Sequence, residues 1–356
     1  MASVPVSQLK FGDRISDNVV TKRNQVLFPK GRVISGRDVE ILQAFLISSV
    51  EIESKNGSRE TAAESPVPSD VPEPVKSTFQ EQYDKMLRLL KQVFDAVGPG
   101  GQAPPILEIR TALEGLIRRI DQYNVLTFSP KVFQLTDYMY HNSIMVGLTS
   151  FQLARWHGCA PKDLIPIALA GLLHDIGNAK LDTSILFKPD ALTSAELEGM
   201  KKHTILGYNI LKGVAAINEG VKLCALQHHE REDGTGYPLG ISGDKIHSYA
   251  KIVAVTDMFH AMTSDRFHKK AKSRYLVLEE LLQESFGKLD PAIVQTFIQK
   301  VTSFHNGTLV KLSDGRTGEI VFSDRANPTR PWVNVNGAII NLTVERSLYI
   351  LDVLPQ

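Results

Sequence analysis

An adjacent histidine and aspartate, His174-Asp175, stand at the end of an apolar run from Leu164 to Leu173. His203, the pair His228-His229 and Asp257 follow farther along the chain. Imidazoles and carboxylates are ligand types that suit Fe, Mn, Zn or Ni, and a metal so held can activate a bound water. Between the histidine pair and Asp257 lies Asp233-Gly234-Thr235-Gly236-Tyr237-Pro238. This turn-rich segment brings backbone close to whatever binds there.

A lone histidine is usually a surface or hydrogen-bonded core residue, and a lone buried aspartate usually caps a helix or joins an ion pair. The set here is different. Six of the ten histidines fall between His141 and His229, and they include one His-Asp and one His-His pair. His174 and Asp175 sit at a helix end, where the chain can turn and aim both side chains into one cavity. Asp175 is suited to bridging two metals, because a carboxylate has two oxygens with several lone pairs. His203 belongs to a separate helix. His228 and His229 close another, and as neighbours they point apart, toward different metals or different edges of one site. Asp257 lies inside the apolar stretch from Val253 to Met262, where a carboxylate is costly unless paired or metal-bound. His141 lies in yet another helix, with Asp137 one turn earlier on the same face.

The elements that would position these residues are helical. From Ser129 to about Phe304 strand-type alternation is scarce. Helices are expected over Val132–Ala154, Pro161–Leu173, Ser194–Leu211, Asn218–His228, Ala250–Met262, Tyr275–Gln283 and Pro291–Thr302. The domain at 129–304 is therefore a helical bundle or orthogonal helix array. Two connecting helices, Gln80–Ala96 and Leu107–Tyr123, precede it within 77–128, separated by Gly98-Pro99-Gly100-Gly101. Residues 55–76 carry Pro66, Pro68, Pro72 and Pro74 among Ser and Glu and read as a linker. Residues 1–54 read as a small α+β module with strands near Asn18–Val20, Gln25–Phe28 and Ser49–Ile52 and a helix opening at Ser35. At 305–356 short strands separated by Asp314-Gly315 and Asn336-Gly337 predict a small β-barrel-like module. The fold class is mainly α, with these two accessory modules.

Composition narrows the function. The chain has 356 residues, a formal net charge of +1 and 43% apolar residues. Nothing in that balance points to a nucleic-acid polymer or a membrane surface as partner. The two cysteines, Cys159 and Cys224, form no CxxC pair, which fits reduced thiols in a cytosol. Met1 to Pro5 shows no secretory pattern. The longest apolar run is far shorter than the roughly 20 residues of a membrane span. A soluble cytoplasmic protein is expected.

Over Tyr140 to Lys272 the sequence resembles the HD-GYP family, a branch of the HD superfamily of metal-dependent phosphohydrolases. The resemblance is carried by His174-Asp175-Ile176-Gly177, by the stretch Ile185 to Thr193, and by Met200-Lys201-Lys202-His203. It is carried further by His228-His229-Glu230-Arg231-Glu232-Asp233-Gly234-Thr235-Gly236-Tyr237-Pro238 and by Asp257 to Arg266. The HHExxDGxGYP element is the specific part.

The resemblance implies an HD-type helical bundle holding two divalent ions, Fe or Mn, with a third left open. It implies hydrolysis of cyclic di-GMP to pGpG or GMP through a metal-activated bridging hydroxide. Carried over by position, the metal ligands are His141, His174, Asp175, His203, His228, His229 and Asp257, with Asp137 where trinuclear members have Glu. His174, Asp175 and Arg266 are the catalytic set. Gly236, Tyr237, Arg266 and Lys269 match substrate-contacting positions. Two departures stand out. Asn178 occupies the usual Lys position of HDIGK, leaving Lys180 as a nearby substitute, and His260 stands where Asp is common. The competing readings are a catalytically weak cyclic di-GMP receptor and a phosphohydrolase of another cyclic nucleotide. A homodimer through the helices after Lys76, and protein partners at either accessory module, are compatible with the sequence.

Overall fold

The computed structural model describes the chain except residues 1, 7–8, 10–11, 21–25, 35–37, 40–41, 43–46, 48, 53–77, 99, 132, 267–269, 303–306, 325 and 355–356. The chain divides into two compact units, Met1–Pro74 and Val75–Gln356. In the first, β1 (Ala2–Pro5) pairs antiparallel with β4 (Ser49–Ile52), and β2 (Val19–Val20) with β3 (Val26–Phe28). Ile15, Phe28, Ile34, Leu42 and Val50 form its small core. The helix expected from Ser35 falls largely outside the described residues, as does the expected linker at 55–76.

The second unit is mainly helical. It opens with α1 (Phe79–Val97), which begins at a capping box: the Thr78 side chain takes the Glu81 amide and the Glu81 carboxylate takes the Thr78 amide. Tyr83, Met86, Leu90, Val93 and Phe94 line its buried face. Next come α2 (Ile106–Ile117), α3 (Tyr138–Trp156) and α4 (Pro161–Leu173). A short 3-10 turn, Ile176–Lys180, leads to α5 (Thr183–Leu186), α6 (Ser194–Lys201), α7 (His203–Leu211) and α8 (Glu219–Gln227). The helical part ends with α9 (Ser248–Thr263), α10 (Arg274–Glu284) and α11 (Pro291–Val301). The long helix expected over Ser194–Leu211 is divided at Lys202, whose amide bonds back to Gly199 in a tightened turn. The division puts His203 at the start of a helix.

Two close approaches set the geometry. Helices α3 and α4 cross at Gly147 and Gly171, where a Cβ on Gly171 would lie 3.0 Å from the Gly147 Cα. That crossing holds the C-terminal end of α4, and so His174, against α3. A Cβ on Gly177 would fall 1.8 Å from the His203 carbonyl oxygen. Only glycine lets the turn after Asp175 lie so tightly on α7.

The C-terminal strands β5 (Leu309–Leu312), β6 (Thr317–Phe322), β7 (Trp332–Val335), β8 (Ala338–Asn341) and β9 (Ile350–Val353) form one antiparallel sheet in the order β8-β7-β6-β5-β9. Asn336 and Gly337 both take positive φ in the β7–β8 hairpin, as its Asn-Gly sequence predicts. The described strands do not close into the expected barrel. β8 and β9 remain as edges, because β9 returns beside β5 rather than reaching β8. Val310, Leu312, Ile320, Val333 and Ile350 join the same core as the helices.

Candidate metal centre

His174 follows the last turn of α4 and is fully buried. Its Nδ1 lies 2.7 Å from the Gly171 carbonyl oxygen. His203 Nδ1 lies 2.7 Å from the Met200 oxygen, and His228 Nδ1 lies 3.0 Å from the Cys224 oxygen. A carbonyl can only accept, so each of these rings carries a hydrogen on Nδ1 and, in its neutral form, presents the Nε2 lone pair inward. That is the arrangement by which proteins orient histidine toward a metal.

Asp175 sits among those nitrogens. Its Oδ2 is 3.4 Å from His174 Nε2, while its Oδ1 is 3.3 Å from His203 Nε2 and 3.5 Å from His228 Nε2. The two oxygens thus face two different groups of ligand atoms. On the first side, Asp257 Oδ1 from α9 lies 3.3 Å from His174 Nε2. On the second side, ligand atoms of Asp175, His203, His228 and His229 all lie within 4.8 Å of one another.

Electrostatics agree with a cation in this place. Burial alone would depress the His174 pKa, but Asp175 and Asp257 together outweigh it and raise it well above the usual histidine value. Asp175 also pays a burial penalty, and the surrounding imidazoles, His174 foremost, overcome it and lower its pKa. Two carboxylates at one buried point require positive charge, which a proton on His174 or a divalent ion can supply. Burial lowers the pKa of His203 and, farther still, of His229, where His228 and His203 add to the effect. Neutral imidazole is the form that binds metal. The residues present therefore fit a divalent-metal centre.

The remaining expected residues fall in different places. His141 is buried, with Nδ1 2.9 Å from the Tyr83 hydroxyl and Nε2 without a hydrogen-bond partner. Asp137 does not join the cluster, since its Oδ1 is 2.8 Å from Lys91 Nζ. Tyr237 stacks on His229 at 4.7 Å between ring centroids. Its loop is held tightly: a Cβ on Gly236 would lie 2.4 Å from the Glu230 Cα, and the Tyr237–Pro238 peptide is cis. Arg266 donates to the Ala261 carbonyl and lies over the Tyr138 ring at 5.5 Å. Lys269 lies outside the described residues. Lys180 does not take up the place of the usual Lys, because its Nζ donates to the Gly98 carbonyl at 2.5 Å, capping the end of α1. Asn178 is buried, and its Oδ1 has no hydrogen-bond partner. His260 turns away into a polar chain, Nε2 2.7 Å from Thr149 Oγ1, which is in turn 2.9 Å from the Tyr123 hydroxyl.

Two contributors have no role among the sequence-based expectations. Asn142 donates to Asp257 Oδ1 at 3.0 Å, orienting a ligand from 115 residues away. Glu230, buried and carboxylate-bearing, accepts from the Leu239 and Ile241 amides at 2.7 and 3.1 Å and so shapes the Tyr237 loop. Its place next to the histidine pair was the available signal.

Comparison with known proteins agrees with this geometry. A family model described as "HD domain" matches residues 133–293. The chain is 27% identical over 349 residues to the cyclic di-GMP phosphodiesterase PA4108 of Pseudomonas aeruginosa, covering 93% of this chain and 84% of that protein. It is 38% identical over 159 residues to the cyclic di-GMP phosphodiesterase response regulator RpfG of Xanthomonas campestris, covering 44% of this chain and 41% of that one. Among solved structures, Bd1817, an HDG"Y"P protein from Bdellovibrio bacteriovorus, superposes with a TM-score of 0.50 at 17% identity, over 83% of this chain and 97% of that one. Residues 133–293 thus match the HD-domain family, and the histidine–aspartate cluster lies within that match.

Proposed function

We infer that this protein is a metal-dependent phosphodiesterase that hydrolyses cyclic di-GMP to pGpG or GMP. The observation that carries the reading is the placement of Asp175, one oxygen toward His174 and Asp257 and the other toward His203 and His228. The names of the relatives supply the substrate class. Divalent ions bound there would provide Lewis acidity and an activated water. Asp175 is the residue that links the two halves of the site, and the imidazoles fix their own Nε2 atoms through the backbone carbonyls. Tyr237, stacked on His229, lines the edge where a nucleotide would lie. Arg266 offers a planar guanidinium for a phosphate oxygen, and Lys269 a second cation for the same role. Fe or Mn suits this mixed imidazole–carboxylate set, and two ions suit the two faces of Asp175.

Catalysis belongs to residues 129–304 in this reading, with 1–54 and 305–356 as regulatory or partner-docking pieces. No described helix is long and apolar enough to cross a membrane. The substrate class fits a cytoplasmic site of action.

The test is anaerobic loading with Fe or Mn, elemental analysis, and chromatographic detection of product from cyclic di-GMP. Asp175→Ala is expected to lose both metal and turnover. Full turnover with unchanged metal content in that variant rejects the assignment. A second reading, a cyclic di-GMP receptor with weak activity, is favoured by one feature: Asn178 stands in the usual Lys position while Lys180 is committed to Gly98. Removing one preorganised cationic donor can cost about a hundredfold in rate. Calorimetric binding without pGpG or GMP formation from the loaded protein decides for the receptor.

A further inference from the structure

Two expected ligands that lie apart from the cluster, Asp137 and His141, are both contacted by one helix that precedes the matched domain. Tyr83 and Lys91 both belong to α1. Lys91 Nζ lies 2.8 Å from Asp137 Oδ1, and the Asp137 side chain is only 15% exposed. Asp137 stands at the start of α3, yet its carboxylate makes no capping hydrogen bond to that helix. It is given over to the ammonium. One turn farther along α3, His141 presents a buried Nε2 that bonds to nothing. A carboxylate and a bare imidazole nitrogen at this spacing would be two ligands for one more divalent ion.

His141 also differs from the other histidines in how its ring is held. His174, His203 and His228 each face a carbonyl, which forces the hydrogen onto Nδ1. His141 Nδ1 faces the Tyr83 hydroxyl, which can either donate or accept. When the phenol donates, the ring hydrogen moves to Nε2 and the nitrogen is no longer a ligand. The metal-binding form of His141 is thus not enforced by its surroundings.

We propose that Lys91 is a built-in cation that occupies the Asp137 carboxylate and limits the centre to two metal ions, so that Lys91 and a third ion exclude each other. This rests on the metal-centre reading above and concerns only how many ions that centre holds. A protonated lysine supplies positive charge without needing further ligands, so it wins where only Asp137 and a weakly committed His141 are on offer. It also lets α1, a helix preceding the domain, set the composition of the centre.

The experiment counts Mn(II). Full-length protein is stripped, loaded anaerobically with excess Mn(II), desalted and analysed for Mn per chain, with circular dichroism as the check on folding. The unaltered protein is expected to hold two ions. Lys91→Met is expected to gain a third, and Lys91→Arg to stay at two because the cation is kept. Asp137→Asn should hold two, and the double variant Lys91→Met/Asp137→Asn should fall back to two, because the carboxylate the third ion needs is gone. Three ions in the unaltered protein, or no gain in folded Lys91→Met, overturns the proposal. Lys91→Gln, which keeps a polar side chain but removes the cation, is loaded in parallel on the same expectation of three ions, and two ions in folded Lys91→Met or folded Lys91→Gln overturns the proposal. Failure of the parent reading looks different: no bound Mn in any protein, or equal Mn in Asp175→Ala.

Discussion

The part played by a single side chain here depends on what stands behind it. Asn142 touches no candidate substrate, yet it fixes the Asp257 oxygen that faces His174. Groups that orient metal ligands commonly govern affinity by about 10–100-fold when removed. Asn142→Leu is expected to weaken Mn(II) binding by that order while leaving the helical circular dichroism unchanged, measured by competition with a chelator. His260 behaves in the opposite sense. Burial, with Arg274 adding to it, lowers its pKa to about 3, so it stays neutral in the folded state. In the unfolded chain it takes up a proton near the ordinary value of about 6.5. A histidine with a depressed folded pKa contributes stability above its unfolded pKa, and that contribution is lost as pH falls. Between about pH 6.5 and 3 the slope from this one residue is about 1.4 kcal/mol per pH unit. Denaturant unfolding of metal-free protein at pH 7 and pH 5 should therefore show a smaller loss of stability on acidification in His260→Asn than in the unaltered chain. Equal losses in the two proteins rule out this account of His260.

At the scale of elements, glycines set how closely the ligand-bearing segments meet. Gly177→Ala would put a Cβ 1.8 Å from a backbone oxygen at the first residue of α7. Backbone cannot rotate away as a flexible side chain can, so the turn carrying Asp175 must lift off the helix carrying His203. The expected result is a loss of several kcal/mol in stability, at the upper end of single-substitution effects, together with weaker binding of any ion those two residues would share. Calorimetric metal titration and thermal unfolding check it, and unchanged metal affinity would refute it. Much of this was readable in the chain. Apolar spacing located α4, α8, α9 and α11 closely and α3 with a start six residues too early, and residue type picked out His174, Asp175, His203, His228, His229 and Asp257. What escaped were pairings that local sequence does not encode. β1 carries Ser and Pro, poor strand formers, and is a strand because β4 lies beside it. β9 likewise forms because it finds β5. The ties of Lys91 to Asp137 and of Asn142 to Asp257 join helices far apart in sequence, so no spacing rule could name them. Lys180 was a fair substitute by proximity along the chain, but a 3-10 turn directs it to the end of α1.

For the second compact unit as a whole, the question is what couples the C-terminal sheet to the helices. The two share a core, and polar contacts cross between them: the Ser273 hydroxyl donates to the Ile350 carbonyl at 2.8 Å, and a charged clamp adds to it. Arg330, just before β7, pairs bidentately with Glu279 of α10, Nε to Oε1 at 2.5 Å and the terminal nitrogen to Oε2 at 2.7 Å. The same guanidinium donates to the Leu348 carbonyl at 2.7 Å, ahead of β9. The pair is neither fully exposed nor fully dry, with side chains 18% and 24% accessible. Its worth therefore lies between the fractions of a kcal/mol typical of surface pairs and the 3–5 kcal/mol lost when a buried pair is broken. Arg330→Ala is expected to destabilise the protein by about 1–3 kcal/mol, and Glu279→Gln by less, because the amide oxygen still accepts from Arg330, which also keeps its bond to the Leu348 carbonyl. Neither should change the number of bound ions, since the clamp touches no ligand of the metal centre. If Arg330→Ala also lowered metal occupancy in protein that remains folded, the sheet would be acting on the centre through α10, whose neighbour α9 carries Asp257, and its role would extend beyond holding the unit together.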